Sequence, residues 1–184
     1  MTAARPVLRA AGTAVLAGMA AMLAGCASLT PLPADGRAAP LAGRLAVHID
    51  GQPERGVSAG FELAGSAEQG RLLLTGPLGV GLATASWSSG RAVLDSAGRQ
   101  TLFPDLDSLA VAALGEALPM AALFDWLRGR AWAGAPASAR SDGIAGFEQL
   151  GWQVNLSRFA LGALEAFRPA PPAVTVRVRL ELPG

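Results

Sequence analysis

Regular alternation of apolar and polar residues predicts that most of this chain forms β-strands. Apolar side chains recur at every second position in the segments 45–49 and 57–63, and turn residues separate the two segments. The most regular run is 174–182, where valine and leucine alternate with threonine, arginine and glutamate. Further short strands are predicted at 71–75, 81–87, 91–95, 99–103 and 151–157. Strands that each carry one apolar face predict an antiparallel sheet that curls toward a barrel.

The apolar period changes to about 3.6 residues after the sixth strand, which predicts two short helices. Asp105 or Asp107 can cap the first helix, and Gly115 ends it. The second helix has Pro119 in its first turn and ends at Gly129. Because each helix must bury one apolar stripe, the mouth or interior of the barrel is the expected place for both. The predicted fold class is mainly β with α insertions.

The first residues have the pattern of an export signal. Arg5 and Arg9 precede an uncharged run at 10–24 that is too short to span a bilayer comfortably. This run ends in Leu23-Ala24-Gly25-Cys26, which resembles the bacterial lipobox, where a peptidase cleaves before a cysteine that then carries lipid. The alternative is an ordinary secreted protein whose lone cysteine lies near the cleavage site by chance.

The lipobox interpretation divides the chain into three parts. Residues 1–25 are expected to be the signal peptide, 26–42 the lipidated N terminus and a proline-containing tether, and 43–184 the folded domain. Ala27 follows the cysteine where an aspartate would imply retention in the inner membrane, so the resemblance implies the periplasmic face of the outer membrane, with Cys26 as the lipid attachment site.

Composition excludes several classes of chemistry. All 15 basic residues are arginine, so the chain has no phosphate-loop lysine and no Schiff-base lysine. One histidine and one cysteine are too few for a zinc site built from these residue types. The 14 acidic residues nearly balance the arginines, and no clustered basic face is evident, so nucleic-acid binding is not expected. We expect no cofactor and no metal.

Two catalytic alternatives have weak support in the sequence. His48 with Ser58 or Ser86 would be needed for a nucleophilic triad, but no Gly-x-Ser-x-Gly turn exposes a serine. Asp105 and Asp107 are a possible glycosidase pair, yet both lie at a helix start, where capping is the ordinary role. A lipid-modifying hydrolase is therefore a remote alternative, and we do not expect an enzyme.

Four further motifs, in this order and together with the lipobox, resemble the LolB family of outer-membrane lipoproteins. They are Gly43-Arg44-Leu45-Ala46-Val47, Leu74-Thr75-Gly76-Pro77-Leu78-Gly79, Leu118-Pro119-Met120 followed by Trp126-Leu127-Arg128-Gly129, and Leu150-Gly151-Trp152-Gln153-Val154. The chain departs from the family in having Phe61-Glu62-Leu63 in place of a Phe-x-Trp pair and in having no tyrosine.

The resemblance implies an unclosed antiparallel barrel whose short helices cover an apolar cavity. The cavity would take the acyl chains of cargo lipoproteins from the periplasmic carrier LolA, and Leu78, on a protruding loop, would help to pass them into the inner leaflet of the outer membrane. We expect a monomer. The candidate cavity-lining residues are Phe61, Leu63, Leu74, Trp87, Leu123, Phe124, Trp126 and Trp152.

One alternative stays open, because apolar stripes have the same spacing around a ligand cavity and around a filled core. The chain is then an anchored structural or small-lipid-binding lipoprotein with no transfer role.

Overall fold

The computed structural model describes residues 39–182, which form eleven β-strands and two α-helices. The strands are β1 (Leu41–Ile49), β2 (Val57–Gly65), β3 (Gly70–Thr75), β4 (Gly81–Ser88), β5 (Arg91–Ser96), β6 (Arg99–Phe103), β7 (Ala137–Ala139), β8 (Gly146–Gln149), β9 (Trp152–Asn155), β10 (Ala163–Arg168) and β11 (Val174–Leu180). The helices are α1 (Leu106–Leu114) and α2 (Met120–Trp126). The signal-peptide interpretation and Cys26 lie outside the described residues.

All eleven strands belong to one antiparallel sheet in the order β6-β5-β4-β3-β2-β1-β11-β10-β9-β8-β7. The first strand pairs with the last, so the two halves of the chain meet at β1 and β11. β6 and β7 remain as edges, and the sheet is therefore unclosed. This architecture confirms the predicted fold class.

Strand β1 begins two residues before the expected domain boundary. Leu41 and Ala42 are paired with Leu63 and Glu62 of β2, so they belong to the sheet and not to the tether. β7, β8 and β10 were not predicted as strands, while β9 and β11 are shorter than the alternation suggested.

Helix α1 begins and ends with the predicted residues. Asp105 is the N-cap, because its carboxylate accepts a hydrogen bond of 2.6 Å from the backbone N–H of Ser108. Gly115 ends α1 in the left-handed conformation, with φ at 73°. Helix α2 ends at Trp126, earlier than predicted, although turn hydrogen bonds continue as far as Gly129, whose N–H donates to the Trp126 carbonyl at 2.9 Å.

The core lies between the inner face of the sheet and the two helices. Alternate residues of the central strands, such as Val47, Ile49 and Val174, are buried there. The described residues belong to one compact unit, which contains every core residue found among them. A chain that begins at Gly36 therefore keeps that core complete. Among residues 39–182, no helix has the length and apolarity to cross a bilayer.

Candidate functional site

An apolar cavity of about 210 Å³ lies between the sheet and the helices, and every residue that lines it is apolar. The strands contribute Leu45, Val47, Val57, Phe61, Leu63, Leu72, Leu74, Ala83, Ala85, Trp87, Leu94, Leu164, Val176 and Val178. The helices and their connections contribute Leu106, Leu109, Ala110, Ala113, Leu114, Leu118, Met120, Leu123, Phe124 and Leu127. With no polar side chain to satisfy, such a space suits a hydrocarbon ligand.

Trp87 is the cavity-lining aromatic residue with a polar side-chain atom, and that atom is directed away from the cavity. Trp87 donates its indole N–H to the backbone carbonyl of Ser66 at 2.9 Å, in the turn between β2 and β3. The Trp87 ring meets the Phe124 ring edge-on, with centroids 5.7 Å apart. The contact joins β4 to α2 and leaves only carbon facing the cavity.

Six of the eight predicted lining residues surround this cavity: Phe61, Leu63, Leu74, Trp87, Leu123 and Phe124. Trp126 and Trp152 do not, and for these two the prediction is wrong. They pack against each other with ring centroids 5.9 Å apart, and Trp126 also meets Phe147 of β8 at 6.3 Å. Both tryptophans are buried away from the cavity, where Trp126 packs against Phe147 of β8 and against Trp152, the first residue of β9.

Gln149 fixes this second aromatic cluster through its side-chain amide. Its oxygen accepts hydrogen bonds from the Trp126 indole at 2.8 Å and from the Trp132 backbone N–H at 2.9 Å. Its nitrogen donates to the carbonyls of Trp132 and Ala135 at 2.7 and 2.8 Å. All four bonding positions of the amide are used, so Gln149 joins β8, α2 and the loop before β7.

The turn between β3 and β4 holds Leu78 in solvent. A single 3₁₀ turn, Pro77–Gly79, forms it, and a hydrogen bond of 2.8 Å from Gly76 N–H to the Val80 carbonyl closes it. Leu78 has φ 61° and ψ 19°, a left-handed conformation that is unusual for a leucine. Its side chain is 102% exposed, so the prediction of an exposed leucine is confirmed.

The candidate catalytic groups have other partners. His48 Nε2 lies 3.3 Å from Asp50 Oδ1, and both side chains are well exposed, so neither Ser58 nor Ser86 is its partner. Asp105 caps α1, and the hydrogen bond from Ser108 lowers the pKa of its carboxyl. These contacts suit a surface pair and a helix cap.

Known proteins of one family are similar to this chain in sequence. The sequence model of the family described as outer membrane lipoprotein LolB matches residues 39–182. The outer-membrane lipoprotein LolB of Bordetella petrii is 38% identical over 153 residues, covering 78% of this chain and 76% of the relative. Its counterpart in Cupriavidus taiwanensis is 33% identical over 147 residues, covering 74% and 72%. The chain belongs to the LolB family.

Within this LolB-family domain, the candidate lining residues named from the sequence included none from α1, although both helices were expected to cover the cavity. Leu106, Leu109 and Ala110 line it, and their helical spacing is the signal that could have added them. Arg128 is a second omission. Its guanidinium donates to the Phe124 carbonyl at 2.7 Å, and burial lowers its pKa, so it holds the end of α2 beside the cavity.

Proposed function

We propose that this LolB-family chain receives the acyl chains of lipoproteins from a periplasmic carrier of the LolA type and passes them to the outer membrane. The all-apolar cavity beneath α1 and α2 is the observation that carries the proposal. Sequestering hydrocarbon from water is worth about 0.8 kcal/mol per methylene, so a chain of roughly 16 carbons represents about 12 kcal/mol. Only a binding site that excludes water can offset the free-energy cost of exposing such an acyl chain during transfer.

Transfer needs no catalytic step or cofactor when each acceptor binds the cargo more favourably than the donor does. The proposal accordingly assigns no enzymatic role to His48 or to Asp105.

The proposed location is the periplasmic face of the outer membrane, with lipid on Cys26. Its support is the Leu23-Ala24-Gly25-Cys26 string and the names of the relatives. Cys26→Ala is expected to leave the chain uncleaved by the lipoprotein peptidase and unacylated. A mature N terminus found elsewhere by mass spectrometry, with Cys26 unmodified, contradicts this anchor.

The direct test of the cavity is the binding of a fluorescent 16-carbon fatty-acid analogue by the domain that begins at Gly36. Ala110→Phe places a ring in the cavity, because Ala110 is buried and lines the α1 wall, and is expected to weaken binding. Ala112→Phe is the matched control, because Ala112 is exposed on the same helix and does not line the cavity. Failure of the unmodified domain to bind the probe favours the structural-lipoprotein alternative.

A transfer assay tests the complete proposal. Lipoprotein cargo loaded on the carrier is mixed with the lipidated chain in vesicles, and its appearance in the membrane fraction is measured. Ala110→Phe is expected to reduce transfer in parallel with probe binding, while Ala112→Phe retains both.

A further inference from the structure

A basic groove of about 370 Å³ lies across β1, β10 and β11. It shares Leu45, Leu164 and Val178 with the apolar cavity but, unlike the cavity, has a charged lining. Four arginines and a single acid, Glu165, line it: Arg44, Arg158, Arg177 and Arg179. Between them the lining residues are small, including Ala46, Ser58 and Ala163. This basic cluster could not be predicted from the sequence, because it is assembled by the pairing of the first strand with the last.

Three of these arginines lack an acidic partner in the described part of the chain. Arg177 donates to Glu165 at 2.6 Å, whereas Arg44, Arg158 and Arg179 form no salt bridge within residues 39–182. Arg44 and Arg179 are directly opposite each other in the register of β1 and β11. Like charges in that position destabilise a sheet, so an anion in the groove would relieve a repulsion that is built into the fold.

The groove is close to the Leu78 turn. Thr75, the last residue of β3 before that turn, is paired with Gly60, and Gly60 is paired with Arg44. Neighbouring strands are about 4.8 Å apart, so Arg44 lies about 10 Å from the base of the turn. The turn and the start of β4 expose Leu78 together with Val80 and Leu82. Exposed apolar side chains beside arginines are the usual composition of a surface that binds a membrane interface.

We propose that Arg44, Arg158 and Arg179 bind the phosphate groups of anionic phospholipids while the Leu78 turn enters the same membrane. The planar guanidinium group matches a phosphate through two parallel hydrogen bonds, which suits this ligand. The adjoining apolar turn favours a lipid surface over an acidic protein as the occupant. This inference deepens the proposed function, because it rests on the turn meeting a membrane.

The experiment measures sedimentation of the domain that begins at Gly36 with vesicles of phosphatidylcholine alone or of an equal mixture with phosphatidylglycerol. Arg44→Gln combined with Arg179→Gln is expected to reduce affinity for the anionic vesicles about 25-fold, roughly five-fold per arginine. Binding to phosphatidylcholine should not change, and the loss should diminish at high salt.

The charge-matched control combines Arg71→Gln with Arg91→Gln. Both arginines are exposed outside the groove, and neither has a salt-bridge partner in the described part of the chain. This control is expected to retain affinity within about two-fold, because distant surface charges are screened. Thermal unfolding of each variant verifies that the fold is intact.

Two results would overturn the inference: equal loss in both double variants, or no loss in the groove variant. Binding of the 16-carbon probe is measured on the same samples and should be unchanged by the groove substitutions. Arginine-dependent vesicle binding without any probe binding would refute the proposed acyl-chain function and leave the phosphate site standing.

Discussion

Leu78 has a local structure that stability alone does not explain. Its left-handed backbone conformation is unfavourable for a branched side chain, and the exposed side chain gains no burial in return. Flanking residues make the turn possible, since Pro77 restricts φ and Gly79 has φ at 75°. The proposed contact with a membrane would account for a strained and exposed leucine at this position.

Leu78→Glu is expected to abolish delivery of cargo into membranes while leaving the fold and the acceptance of cargo nearly intact. Full burial of a leucine contributes only about 1.5 to 3 kcal/mol, enough to favour contact with a bilayer but too little to anchor a domain. The measurement is transfer of lipoprotein cargo to vesicles, with probe binding measured in parallel.

Leu102→Glu is the control for this substitution, because Leu102 is 64% exposed on edge strand β6. It should deliver cargo normally. Wild-type delivery by Leu78→Glu would show that the proposed role is wrong, and unfolding of that variant would place Leu78 among the residues that stabilise the fold.

Unlike the exposed Leu78, Gln149 is only 2% exposed, and its side chain forms its hydrogen bonds within the domain. Gln149→Leu leaves the Trp126 indole and the Trp132 backbone without partners and should lower the free energy of unfolding by about 3 kcal/mol. Urea denaturation measures the change, with Gln153→Leu on neighbouring β9 as the control. Equal stability of the two variants would mean that water replaces the amide.

Among the elements, α2 shows what the apolar pattern of the sequence could not predict. Phe124 and Trp126 are two positions apart, so they lie on different faces of the helix, and both faces are buried. Phe124 faces the cavity, whereas Trp126 packs against β8 and β9. The apolar pattern correctly indicated burial of both, but it could not assign them to different compartments.

The missed strands have a related cause. β7 has three residues, all exposed, and only its pairing with β8 defines it. β10 alternates buried Leu164 and Ala166 with half-buried residues, too short a pattern to distinguish from a loop. Long strands with strict alternation, such as β11, could be predicted because apolar residues identify the buried face and polar residues identify the other.

The connection between α1 and α2 is attached to β10 by an ion pair. Arg168 Nη2 lies 2.7 Å from Glu116 Oε2, and the guanidinium also donates to the carbonyls of Ala117 and Pro172. Glu116→Ala removes the only carboxylate partner of Arg168 in the described chain and should lower the free energy of unfolding by about 2 to 3 kcal/mol. Urea denaturation provides the measurement.

Glu165→Ala serves as the comparison for this ion pair, because Glu165 pairs with Arg177 in a more exposed position. Exposed pairs contribute less than about 1 kcal/mol. If Glu116→Ala lowers the free energy of unfolding no more than Glu165→Ala does, the ion pair with Arg168 does not stabilise the connection between α1 and α2.

The cap of α1 gives this element a dependence on pH. The hydrogen bond from Ser108 lowers the pKa of Asp105 in the folded protein, so its stabilising effect is complete above the unfolded pKa and is lost as pH falls through the folded pKa. Asp105→Asn keeps an accepting oxygen without titrating. Below about pH 4 the wild type should therefore lose more stability than the variant, as thermal unfolding would show. Parallel pH profiles would contradict this account.

At the scale of the whole molecule, the cavity is small for its proposed cargo. An apolar cavity of about 150 Å³ holds one benzene molecule, so a space of about 210 Å³ must expand to admit a long acyl chain. The sheet cannot readily provide this room, because backbone hydrogen bonds join each strand to its neighbours. α2 is held by Gln149 through Trp126, and the helix connection is held by Arg168. The helix that remains is α1, which packs on β5, β6 and α2 through side chains.

We therefore expect α1 to detach by local opening while the sheet stays intact. Hydrogen exchange should show amides of Leu109 to Leu114 opening with a lower free energy and a weaker urea dependence than the central amides of β1 and β11. Removing the cap with Asp105→Ala should raise the exchange rate of α1 and speed the association of a 16-carbon probe, because the open state becomes more populated. A shorter 8-carbon probe, which requires less expansion, should associate at a rate that depends less on the cap. Exchange of α1 only through global unfolding, with the same free energy as β1 and β11, would rule out α1 as the moving cover.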